Sequence, residues 1–365
     1  MNNTQILSNQ ISQLACPNIT ITKKNLHPNY ITGFIDGEGS FNITISKDTA
    51  RTTGYRVVCE FHVTQKYHSA EVLYAIKDYF NCGLVKVCSK QNKTLNYQIN
   101  SFKDIHSILI PFLDKYSLIT SKQLNYLTFK KAINMLINGE HLTIEGIEEL
   151  KRLSKEMNTN RTFEEKWEFT QNYSVEISPE WVAGFTDAEG CFYFYIGKQI
   201  LKGKESSTWL LNPSLEIGQN THDVAVLELI KNYLNCGRIK PTRKDNSLEE
   251  AKSLPKMSRY VVSNMTDISN IIIPFFDKYS LLTSKLLDYE DWKRLIELKL
   301  SKTHLDTKGE GIEKMKLLKA GMNSNRTYYP LFNCCQFSHL NSLLLSLSID
   351  PKLAINSCPI IKNQE

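Results

Sequence analysis

A chain of 365 residues that is 41% hydrophobic and 22% charged has ample apolar material for a large core, which excludes disordered, collagenous and fibrous classes. The formal charge of +6 permits contact with nucleic acid without demanding it. No run approaches the ~18 apolar residues of a membrane span. The nine cysteines form no CxxC pair and read as reduced thiols; the eight histidines lack zinc spacing, and P-loops, GxGxxG turns and nucleophile elbows are missing.

Residues 1–26 read as an N-terminal extension, and Met1–Asn18 has neither the basic nor the apolar stretch of a secretory signal. From Pro28 to Glu38 the pattern is helical, with proline in the first turn and Gly39 just past the end. Phe41, Ile43 and Ile45 then alternate with Asn42, Thr44 and Ser46, the mark of a half-buried strand. Cys59, Phe61 and Val63 alternate in the same way with Glu60, His62 and Thr64. A helix from Ser69 to Phe80 leads to two more alternating runs, Val85–Cys88 and Leu95–Asn100. Helices over Asp104–Leu113, Ser121–Leu136 and Ile144–Met157 close the unit.

The unit then repeats. Gly33-Phe34-Ile35-Asp36-Gly37-Glu38-Gly39 returns as Gly184-Phe185-Thr186-Asp187-Ala188-Glu189-Gly190, and Asn81-Cys82-Gly83 as Asn235-Cys236-Gly237. Ile110-Pro111-Phe112 to Leu118 returns as Ile273-Pro274-Phe275 to Leu281, and Met157-Asn158 to Arg161 as Met322-Asn323 to Arg326. Four blocks in unchanged order define a duplicated domain. The offset grows most across Pro241–Ser258, which reads as an enlarged hairpin loop. The expected fold is α+β: two pseudo-twofold αββαββα subdomains, 27–172 and 173–329, each with a four-stranded antiparallel sheet, followed by a tail over 330–365.

Each sheet should pack one face on helices and leave the other polar. In the first copy the outward positions are Asn42, Thr44, Ser46, Arg56, His62, Lys86, Asn96 and Gln98. In the second they are Tyr193, Tyr195, Ser214, Glu216, Arg238, Lys240 and Arg259. Mixed donors and acceptors of this kind can read base edges in a major groove, though a solvated sheet face has the same composition.

Glu38 and Glu189 each end a helix, where the negative half of the macrodipole disfavours a carboxylate by ~0.3–1 kcal/mol. Two such acids at matching positions call for a compensating cation. Gly33-x-x-x-Gly37 and Gly184-x-x-x-Ala188 place small residues on one helix face, so the two helices can approach closely and bring both carboxylates to one end. Paired carboxylates with nearby carbonyls suit Mg²⁺ and phosphodiester hydrolysis. A metal-free core interface fits the same spacing.

The blocks Ile31–Gly39 and Val182–Gly190 resemble the two signatures of a double-motif LAGLIDADG homing endonuclease, and the resemblance runs from Pro28 to Thr327. It implies a monomeric, intron-encoded, Mg²⁺-dependent nuclease whose two sheets straddle double-stranded DNA, cutting a long asymmetric site with short 3′ overhangs. In such a protein Ca²⁺ supports binding without cleavage, and mitochondrial origin fits a Lys- and Asn-rich composition. By the same resemblance Glu38 and Glu189 are metal ligands together with the carbonyls of Gly37 and Ala188. Gln65 and Gln219 organise water, and Lys115 and Lys278 supply positive charge, with Lys122 and Lys285 as competitors for that role. Asp36 and Asp187 read as structural acids. The alternative is an RNA maturase that binds its host intron RNA.

Overall fold

The computed structural model describes residues 26–173, 175–201, 203–242, 256–306 and 309–326. Nearly all of the N-terminal extension, the tail over 330–365 and most of the Pro241–Ser258 loop lie outside the described residues.

The first half begins with helix α1 (Pro28–Glu38), whose backbone runs directly into strand β1 (Gly39–Lys47). Strand β2 (Tyr55–Lys66) returns, helix α2 (Ala70–Phe80) crosses the sheet, and β3 (Leu84–Ser89) and β4 (Thr94–Ile99) complete it. A helical segment with a π turn at Ile105–Leu109 continues into α3 (Ile110–Lys115). Pro111, which has no amide to donate, falls in the first turn of α3, where a helix tolerates it. Helices α4 (Lys122–Ile137) and α5 (Ile144–Lys155) follow.

Helix α6 (Phe163–Asn172) then leads to the second half, started by a capping box between Thr162 and Glu165. The repeat gives α7 (Pro179–Glu189), β5 (Gly190–Leu201), β6 (Lys204–Asn220), α8 (Val224–Leu234), β7 (Arg238–Thr242) and β8 (Met257–Val262). It ends with α9 (Ile273–Lys278), α10 (Lys285–Leu300) and α11 (Glu310–Ala320).

Both sheets are antiparallel and share one topology, β1-β2-β4-β3 and β5-β6-β8-β7. The alternating residues fill the helix-facing side: Phe41 packs at a tilt against Phe61 and Phe129, with ring centroids 5.2 and 5.3 Å away. Its counterpart Phe192 meets Tyr289 and Trp292, each at 5.3 Å. The repeated blocks are explained by local geometry. Asn81 and Asn235 end α2 and α8 in the left-handed conformation, and Asn158 and Asn323, also left-handed, donate to the carbonyls of Phe41 and Phe192. Five free cysteines, Cys59, Cys82, Cys88, Cys191 and Cys236, match the reading of reduced thiols among the described residues. No helix among them is long and apolar enough to cross a membrane.

Candidate active site

Helices α1 and α7 meet backbone to backbone. A methyl at Gly33 would stand 2.3 Å from the Trp181 carbonyl oxygen, and one at Gly184 would stand 2.2 Å from that of Tyr30. Gly37 is equally tight, since a methyl there would lie 2.3 Å from Ala188 Cβ and 3.5 Å from Glu189 Oε1. The small residues therefore do what their spacing suggests, and Glu38 and Glu189 emerge together where the helices end.

Burial, and then the charge of Glu189, push the Glu38 carboxyl above its ordinary range; Lys122, Lys285 and a hydrogen bond from Gln65 oppose them. Burial also raises Glu189, against Lys122, Lys285 and a hydrogen bond from Gln219. The structure thus brings together Glu38, Glu189, Gln65 and Gln219.

The compensating cations at the helix ends are lysines. Lys122 Nζ donates to the carbonyls of Ile35 and Gly37, both at 2.9 Å. Lys285 Nζ donates to Thr186 and Ala188 at 3.1 and 3.2 Å. Burial pushes the Lys122 ammonium down, while the charges of Asp36, Glu189, Glu38 and Asp223 hold it up. For Lys285 the opposing groups are Asp187, Glu189, Cys191 and Glu38.

Lys115 and Lys278, expected to supply this charge, stand elsewhere. Each is the exposed last residue of α3 or α9, with its ammonium over the next tyrosine ring, at 5.2 Å for Tyr116 and 5.1 Å for Tyr279. The chain turns after each tyrosine, and the lysine six residues beyond it, Lys122 or Lys285, returns to the motif helix.

The motif aspartates hold that turn. Asp36 accepts from the amides of Ile119 and Thr120 at 2.8 and 3.0 Å, from Thr120 Oγ1 at 2.6 Å, and from Trp181 Nε1 of the other half at 2.9 Å. Asp187 accepts from Leu282 and Thr283 amides at 2.5 and 3.0 Å and from the Tyr30 hydroxyl at 2.5 Å. Both are structural acids, as expected. Their aromatic donors, Tyr30 and Trp181, occupy matching positions in the first turns of α1 and α7, a repeat visible in the sequence, although their partners across the interface are not.

The donor set fits a hard divalent cation: two clustered carboxylates of raised affinity for protons, with backbone carbonyls beside them. Those carbonyls, on Gly37 and Ala188, accept from lysine here and retain a second lone pair. No cluster of three or more His, Cys, Asp or Glu side chains suited to a metal occurs among the described residues, so a cation here would rely on two carboxylates and main-chain oxygen.

Strand register places the candidate readers on the face opposite the core. Ser46 pairs with Arg56, His62 with Gln98, and Lys86 with Asn96. In the second sheet Tyr193 pairs with Ser214 and Lys240 with Arg259. Thr44, Ser46, Arg56, Lys86, Tyr193, Tyr195, Arg238, Lys240 and Arg259 are exposed, and Asn42, His62 and Glu216 are half-buried. Asn96, Gln98 and Ser214, expected among the outward readers, are instead buried, at only 8%, 3% and 8% exposed. Asn96 accepts from Thr64 at 2.8 Å, Gln98 donates to Glu60, and Ser214 donates to Glu216 at 3.3 Å. Neighbouring side chains on the same face cover them. Arg259 also donates to Glu216, at 3.1 Å.

Two αββαββα units joined by paired helices, with acids at the joint and polar sheets alongside, define a duplicated nuclease scaffold. The chain belongs to the LAGLIDADG endonuclease family, whose sequence profile matches residues 31–133 and 182–296. It is 29% identical over 298 residues to a probable intron-encoded endonuclease 3 of Neurospora crassa, covering 79% of this chain and 52% of that protein. A probable intron-encoded endonuclease 2 of the same fungus is 27% identical over 328 residues, covering 82% and 68%. The chain thus spans about half the length of the first of these relatives. Among solved structures it is similar to the enzyme I-SmaMI bound to uncleaved DNA with calcium ions, at 33% identity and a TM-score of 0.71, covering 82% of this chain and 99% of that one. The same enzyme is also known bound to cleaved DNA.

Proposed function

We propose that this protein is a site-specific, Mg²⁺-dependent double-strand DNA endonuclease, encoded in a mitochondrial intron and acting as a monomer. Its target would be a long asymmetric site cut to leave short 3′ overhangs. The observation that carries this reading is the pair Glu38 and Glu189, held side by side at the ends of α1 and α7.

Glu38, Glu189 and the carbonyls of Gly37 and Ala188 would hold the cation, which when bound supplies an activated water and charge stabilisation at the leaving oxygen. Gln65 and Gln219 orient the two carboxylates through their hydrogen bonds. Lys122 and Lys285 place fixed positive charge where negative charge develops on phosphate. The exposed polar faces of the sheets would read base edges, each half covering about one helical turn, or ~10 bp.

Selection from random duplexes, captured with the protein in Ca²⁺ and then moved to Mg²⁺, tests this reading. One enriched site, released by cleavage at its centre, is the expected result. Enrichment without cleavage, or no enrichment of any duplex, would overturn it.

A further inference from the structure

The two halves cap their lysine-bearing helices differently, and the difference crosses the interface. Ser121, immediately before Lys122, donates to Asp223 of the second half, through its amide at 2.7 Å and its hydroxyl at 3.1 Å. The matching Ser284, immediately before Lys285, meets Ser69 of the first half, with its amide at 3.3 Å and its hydroxyl at 3.0 Å. All four residues are buried, between 3% and 7% exposed. A carboxylate thus caps α4, where a hydroxyl caps α10. Charge-assisted bonds are shorter and stronger than neutral ones, and a negative charge suits a helix N-terminus.

The surroundings preserve the contrast. His222 lies 3.1 Å from Asp223, and His68 lies 2.9 Å from Ser284 Oγ, so an imidazole stands on both sides and the carboxylate on one. Lys122 also holds its carbonyls at shorter range than Lys285 does.

We infer that Asp223 is a positioning residue that holds Lys122 more firmly than Ser69 holds Lys285, so that the two strands of the target are cut at unequal rates. The faster cut is the one served by Lys122. This inference rests on the nuclease reading above.

The test uses a supercoiled plasmid carrying the selected site, with nicks assigned to each strand by primer extension. Wild type is expected to nick one strand first. Asp223→Ser should slow that strand by about tenfold, well short of the ~10²-fold that an ångström of misplacement can cost, and leave the other unchanged. Asp223→Asn, which keeps an acceptor for the Ser121 amide, should recover part of the loss. Ser69→Asp should speed the slower strand, a gain that damage to the fold would not produce. Equal nicking by wild type, or equal slowing of both strands by Asp223→Ser in protein with an unchanged melting temperature, would overturn the inference while leaving the nuclease reading intact. Wild type that cuts neither strand removes the nuclease reading, and this inference with it.

Discussion

Lys122 and Lys285 resolve an electrostatic problem posed by the sequence. A glutamate at a helix C-terminus is disfavoured by the dipole, and each is answered by an ammonium bound to the last carbonyls. Lys122→Met is expected to lower cleavage by about 10²–10³-fold with site binding retained, as gel shifts in Ca²⁺ beside cleavage rates in Mg²⁺ will show. The acids were legible in the sequence because they sit in a duplicated block. The lysines were harder, since Lys115 and Lys278 keep the same spacing as Lys122 and Lys285 and tertiary contact alone separates the two pairs. Asp223 was not legible, because its partner Ser121 lies in the other half.

One carboxylate outside the site gives a pH test. Burial alone pushes Glu71, in the first turn of α2, up to about 7 from an ordinary 4.5. With its folded value raised, its contribution to stability is whole below 4.5 and is lost as pH rises through 7. Glu71→Gln should therefore match wild type near pH 4 and exceed it by about 1–2 kcal/mol at pH 8, allowing for screening of a partly exposed group. Urea melts at the two pH values measure this directly.

Among the elements, α1 and α7 set the tolerance of the whole fold. Gly33→Ala would drive a methyl into the Trp181 carbonyl, a backbone group that cannot turn aside, at a cost of about 3 kcal/mol or more. Gly218→Ala meets nothing nearer than 3.7 Å and should shift stability by less than about 0.5 kcal/mol. Thermal melts of the two variants check the contrast. The strands were plain in the sequence because alternation has a period of two and one face is buried. Helix α6 is announced in the sequence only by the Thr162–Glu165 capping box, because its buried face is narrow and it lies between the two repeats. The polar faces were correctly assigned by alternation, whereas the covering of Asn96 and Gln98 depends on Thr64 and Glu60 from the neighbouring strand.

The whole molecule couples two unlike halves about one pair of helices. Its modest charge means that affinity must come from local arrangement more than from net attraction. Phosphate contacts should nevertheless make binding weaken by on the order of 10³-fold between 50 and 200 mM salt if six or more phosphates are engaged. Fluorescence anisotropy on the selected duplex measures that slope. The direct test of the paired acids is strand-resolved cleavage of that duplex in Mg²⁺ by Glu38→Gln, Glu189→Gln and the double variant. Losses on the order of 10³-fold or more in double-strand cleavage, with binding in Ca²⁺ unchanged, are expected. Full double-strand cleavage by the double variant would contradict the site assigned here.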